Sequence, residues 1–346
     1  MSIFSNYKKV ENNEPEIEAP VYEGYDCEFN GDLIMIQEGF EDQLAIIESL
    51  YNIDMAELEY KKEVKGLTEA AEIEAKTTEF ESALEGMIGN TWEKIKAFFT
   101  TMWGKMKAFF KTAVSYIDDF VKSNKDFVTK YESQIKDGAA KNPDFTYVMY
   151  KYNDAAIKGD NSYNFLEKAQ DALKEFLPAN VSTETSEDLN KKIGDLIDKK
   201  EDTMNKLRGT YVGESNLNSS EYEKALFNHF RKGEKGPKKI NINEVISVLK
   251  SGNGASFASG AAKFVDKLFI DEIIKINTWA ASSDSAKKGS EDKDLNKKFT
   301  ALANLAHKYA SAFSEARSIA LQYFRAWKQA LTERDTAYRS ICVKII

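Results

Sequence analysis

Apolar residues return at steps of three and four along most of the chain, and two stretches carry the pattern furthest. In the first, Trp92, Ile95, Phe99, Met102, Trp103, Met106, Phe110, Ile117 and Val121 fall on one broad helical arc. Phe98 and Phe109 lie at its edge, Lys96 and Lys107 at its rim, and Lys94, Lys105 and Lys111 beside or opposite it. In the second, Phe299, Leu302, Ala306, Tyr309, Phe313, Ala316, Ala320, Tyr323, Trp327 and Ala330 form a seam of mixed large and small residues. The two stretches predict long amphipathic helices over residues 88–136 and 292–342. Neither is stable in water with so much aromatic surface exposed, so each is the natural partner of the other.

The first stretch contains a near-repeat. Trp92-Glu-Lys-Ile-Lys-Ala-Phe-Phe99 returns as Trp103-Gly-Lys-Met-Lys-Ala-Phe-Phe110. Eleven residues at about 100° each come back to within about 20° of the start, so both copies present the same face. Three uses of that face stay open: a packed core stripe, an interfacial helix on a membrane surface, where Trp and Phe beside Lys suit the headgroup boundary, or a contact with another chain. The residues at stake are Trp92, Ile95, Phe99, Trp103, Met106, Phe110, Tyr323 and Trp327.

Between the long helices the pattern predicts shorter helical pieces over 143–158, 163–176, 186–208, 219–231, 243–249 and 264–279. A glycine- and lysine-rich loop is expected at 233–239, a short strand at 239–242, a loop or helix lead-in at 251–260 and a polar connector at 281–294. Residues 1–37 read as a disordered acidic tail, and 38–87 as an acidic helical segment ahead of a helical body over 88–346. The expected fold is mainly α: an elongated helical bundle built on two long amphipathic helices, with at most a minor β element.

Composition narrows the function. Five prolines in 346 residues favour helix, and two cysteines, Cys27 and Cys342, give no disulfide framework. No apolar run approaches the roughly 20 residues that cross a bilayer, and the first residues lack the apolar core of a secretory leader. The net charge of −8 is unevenly spread: residues 1–91 sum to −16, and the remainder is mildly basic. The only histidines, His229 and His307, stand in no nucleophile, base or metal-ligand pattern. No phosphate-cradling glycine motif occurs, so we expect no enzyme, no cofactor and no metal site. The lysines of residues 232–239 form a local basic patch that could touch phosphates without sequence preference.

The acidic leading segment, the WEKIKAFFTTMWGKMKAFF helix and the tyrosine-rich terminal helix ending YRSICVKII together resemble the layout of internal head or prohead-core virion proteins of large tailed bacteriophages. Assembly proteases of such phages cut after Glu, with Leu or Ile two residues before it and a small residue after. The pattern occurs here at Ile36-Gln37-Glu38-Gly39, Ile46-Ile47-Glu48-Ser49 and Leu67-Thr68-Glu69-Ala70, and in relaxed form at Ala83-Leu84-Glu85-Gly86. The resemblance implies a non-enzymatic structural protein of the head interior, assembled in the host cytoplasm and matured at Glu38, Glu69 or Glu85. It further implies partners among other virion proteins and copies of itself, and nonspecific contact with packaged DNA. The alternative is a membrane-active amphipathic helical protein acting in ejection or lysis.

Overall fold

The computed structural model describes residues 70–158, 164–287 and 293–346. The fold is mainly α with one two-stranded antiparallel sheet. In chain order the elements are α1 (Ala70–Lys141), β1 (Thr146–Tyr152), α2 (Asp154–Lys158), α3 (Asn164–Asp171), a 3-10 turn (Lys174–Phe176), α4 (Ser186–Val212), α5 (Ser219–Phe230), β2 (Arg231–Lys239), α6 (Ile242–Ser251), α7 (Asn253–Lys287) and α8 (Lys293–Ile345).

Helix boundaries follow from local chemistry. No proline interrupts α1, and it ends two residues before Pro143, whose ring disfavours helical backbone just ahead of it. Thr185 and Asp188 form a reciprocal capping box at the start of α4, and Asn218 and Glu221 do the same for α5. Each box satisfies two N–H groups that the first turn leaves without partners. Gly252 alone separates α6 from α7, and its φ of 65° is a left-handed conformation that a side chain would strain.

Three long helices make the frame, one more than the pattern predicts. Phe99 meets Phe313, Phe110 meets Phe324 and Arg339 donates to Asn124, so α1 and α8 run parallel. Helix α7 runs antiparallel to both: Asp266 meets Trp103, Phe257 meets Trp327 and Trp279 meets Tyr309. The polar connector expected from 281 is helical to Lys287, and of the two readings of 251–260 the structure takes the helix lead-in, residues from Asn253 being the first turns of α7. Only Gly252 of that run breaks the helix; Phe257, Ala258 and Ala261 are buried and hold the following turns in place.

The main core lies between α1, α7 and α8, with α3, α4 and α5 packed onto α8. A second cluster joins Phe127, Val128 and Ile135 of α1 to Val245, Ile246 and Leu249 of α6, and to Ile341, Cys342 and Ile345 of α8. Met149 of β1 enters this cluster and anchors the sheet to that end of the long helices.

Two further segments differ from their sequence pattern. The helix expected over 143–158 is mostly strand β1, because Thr146-Tyr-Val-Met-Tyr-Lys-Tyr152 is rich in aromatic and branched residues that suit a pleated, half-buried surface. The expected 233–239 loop is β2, which has no apolar alternation of its own and is ordered by pairing with β1, Thr146 opposite Lys239 through Tyr152 opposite Arg231. The strand expected at 239–242 is displaced accordingly: β2 ends at Lys239, and the Ile240 N–H donates to the Phe145 carbonyl before α6 begins.

Candidate functional site: the duplicated aromatic phrase

The two copies of the phrase occupy the middle of α1, in the groove between α7 and α8. Equivalent positions are buried in both. Ile95, Phe98, Phe99 and Met102 are buried in the first copy, and Met106, Phe109, Phe110 and Ala113 in the second. Phe98 and Phe109, expected at the edge of the arc, are as enclosed as the rest because α7 and α8 flank α1 on two sides. Full burial of one such side chain contributes about 1.5–3 kcal/mol, so this face is a major part of the core.

Aromatic geometry fixes how the helices seat. Phe98 and Phe99 meet edge to face at 5.2 Å, as do Phe109 and Phe110 at 5.1 Å. Phe99 packs on Phe313 at 5.5 Å, and Phe110 on Phe324 at 5.0 Å. Offset and edge-on contacts of this kind are worth roughly 0.5–1.5 kcal/mol each beyond their area.

The two tryptophans differ. Trp92 is fully enclosed, and its indole N–H has no hydrogen-bond partner among the described residues. Trp103 is half-buried and donates its indole N–H to Asp266 on α7 at 2.9 Å. Lys107 lies 3.2 Å from the same carboxylate and over the Trp103 ring. The Trp103 hydrogen bond, helped by Lys107, holds the Asp266 carboxyl below its ordinary range. The second copy thus carries a polar latch to α7 that the first copy lacks among the described residues.

On α8, Trp327 is buried, packs at a tilt against Phe257 at 4.4 Å and donates its indole N–H to the Ile157 carbonyl at 2.8 Å. Tyr323 points the other way, toward α4 and α5, against Tyr211 at 5.2 Å and Phe230 at 5.4 Å. The central aromatic of α8 is Phe324, which contacts Phe109, Phe110, Phe165, Phe257 and Trp327. A single three-and-four seam misses it because α8 is buried on several sides, and such a helix has no one stripe.

Burial shapes both histidines. His307 is buried, its Nδ1 lacks a partner among the described residues, and burial pulls its pKa down to about 4. Burial also lowers the pKa of His229, which lies edge-on to Phe230. Glu38 and Glu69 lie outside the described residues, and Glu85 falls within the α1 backbone. Among the described residues no helix is long and apolar enough to cross a membrane.

Residues 92–102 and 103–113 each match the TMP repeat, the tape measure protein repeat associated with phages. The two matches coincide with the two copies of the phrase and cover 22 of the 346 residues, so they mark a shared repeat rather than a family for the whole chain. No curated protein and no solved structure matches the chain. What the residues and the match establish is a mainly α-helical chain whose core is built on a phage-associated helical repeat.

Proposed function

We propose that the chain is a non-enzymatic structural protein of a tailed-phage particle, housed in the head interior or its assembly core, and trimmed behind Glu38 or Glu69 as the head matures. One observation carries this reading: the duplicated phrase, similar to a phage-associated repeat, serves as a packing face of a long helix. Its partners in this reading are other particle proteins and further copies of itself. The acidic first residues would keep the precursor soluble, and their removal leaves a basic-leaning remainder.

A membrane-active role is disfavoured by the same face. Ile95, Phe99, Met106 and Phe110 are wholly enclosed by α7 and α8, so a lipid surface would have to displace both helices to reach them.

Mass spectrometry of purified particles tests the proposal. It should find the chain in the particle, beginning at Gly39 or Ala70. Its absence from particles defeats the structural role, and a full-length chain in mature particles defeats the trimming.

A further inference from the structure

We propose that the β1–β2 ribbon is a binding surface for the phosphate backbone of duplex DNA, engaged without sequence preference through Lys151, Lys232, Lys235 and Lys238. This surface is read from the ribbon alone and does not rest on the particle role.

The nine residues of β2 hold five cations, Arg231, Lys232, Lys235, Lys238 and Lys239, against one acid, Glu234. Two of the five already have partners. Arg231 is buried and donates to Glu333 through Nε and Nη2, at 3.0 and 2.8 Å. Lys239 lies 2.8 Å from Asp144. Lys232 and Lys235 are exposed and Lys238 is half-buried; β1 adds exposed Lys151. None of these four has a carboxylate within ion-pair distance among the described residues.

Their arrangement has a cost that a polyanion would relieve. Lys151 and Lys232 stand directly opposite one another across the two strands. Like charges in that position destabilise a sheet pair. The pairing nonetheless holds, because Met149 is sunk in the second apolar cluster, the Asn153 N–H donates to the Phe230 carbonyl at 2.9 Å, and the Asn153 side chain donates to the His229 carbonyl at 2.9 Å. The lysines are therefore displayed on a braced backbone rather than on a solvated loop.

The dimensions suit a duplex. Lys232 and Lys238 pair with Lys151 and Tyr147, four positions apart on β1, about 13 Å of strand, and Lys235 stands on the bulge between them. Duplex DNA presents a phosphate about every 1.7 Å of its axis, and its major groove, about 12 Å wide, admits a two-stranded ribbon. A lipid headgroup surface shares the phosphate chemistry, but stable seating there calls for apolar side chains beside the cations. Val148 is the one large hydrophobic residue of the two strands that is exposed.

The test is fluorescence anisotropy of a labelled mixed-sequence duplex with the purified full chain, from low to physiological salt. Four phosphate contacts predict a slope of log K against log salt of about −3 to −4. Lys232→Gln with Lys235→Gln should lower the slope by about 2 and weaken low-salt binding at least about tenfold. The exposed pair Lys191→Gln with Lys224→Gln should change neither. Thermal melts check that the variants stay folded, and should the double variant fail to fold, Lys151→Gln alone should lower the slope by about 1. No binding by the parent at low salt, an unchanged slope in a folded ribbon variant, or tighter binding to phosphatidylserine vesicles than to the duplex each overturns the assignment. The measurement needs no particle, so its failure leaves the structural role to its own test.

Discussion

The Arg317 guanidinium on α8 donates through Nη1 to the Met102 sulfur on α1 at 3.1 Å, and no carboxylate reaches it among the described residues. Met102 closes the first copy of the repeat. A thioether is a weak acceptor, and Arg317 Nε has no partner there at all. Burial pulls the guanidinium down to about 9, which leaves it charged at neutral pH. A charge held this way costs several kcal/mol of desolvation, which the weak sulfur contact offsets only in part among the described residues. Arg317→Met should therefore raise stability by about 1–4 kcal/mol, read from urea unfolding at pH 7. A destabilised variant would mean that the guanidinium has a partner in the folded chain.

Trp327 tests the opposite sign. Phenylalanine in its place keeps much of the apolar contact with Phe257 but leaves the Ile157 carbonyl without its donor. The orphaned carbonyl and the smaller ring together should cost about 2–4 kcal/mol in denaturant unfolding. A loss within about 0.5 kcal/mol would show that the hydrogen bond is not made in solution.

His307 links stability to pH. Its folded pKa, about 4, lies below the ordinary value of about 6.5, so the unfolded chain binds the proton more tightly. Its contribution is complete above about pH 6.5 and is lost as pH falls toward 4. At pH 5 the loss should be about 2 kcal/mol, with His229 shifted in the same direction. Thermal melts at pH 7 and pH 5 measure it, and His307→Gln should flatten the decline between those values.

Gly138 marks where the C-terminal ends of α1 and α8 cross. A Cβ at that position would overlap the Ile345 carbonyl oxygen, which is backbone and cannot swing aside. Gly138→Ala should lose about 1–3 kcal/mol although alanine is the better helix former. An unchanged melting temperature would mean that the last turn of α8 is free to move away.

Cys342 should be silent to thiol reagents in the folded chain. It is enclosed in the second apolar cluster, and burial pushes its thiol up to about 12. Iodoacetamide followed by peptide mapping should label it only after denaturation. Native labelling would require that cluster to open readily.

How legible the molecule was depended on the physical signal each part carries. The long helices have many turns of one periodicity: α8 stands close to where that periodicity puts it, and α1 ends near the expected place but begins at Ala70, 18 residues ahead of the expected start at 88. The burial of the phrase follows from its eleven-residue spacing. Of the ribbon only a minor β element near Lys239 was legible, because β2 is held by its partner 79 residues or more away along the chain, and RKGEKGPKK alone has no strand pattern. Tyr323 and Phe324 were confused for a different reason. When neighbours crowd a helix on several sides, adjacent residues are both enclosed, and spacing cannot say which one meets a given neighbour. Asp266 and Arg317 are ordinary charged residues in sequence, and only the approach of a third helix gives them their roles.

The match between repeat length and helix geometry also governs which changes in gene length the molecule can absorb. Inserting a whole further copy after Ala113 would lengthen α1 by about 16.5 Å and turn everything beyond it by only about 20°. Deleting a single codon in the same place would swing the downstream apolar stripe by about 100° and send Ile117 and Phe120 toward water. Growth or shrinkage of this rod is thus quantised, in steps of three helical turns.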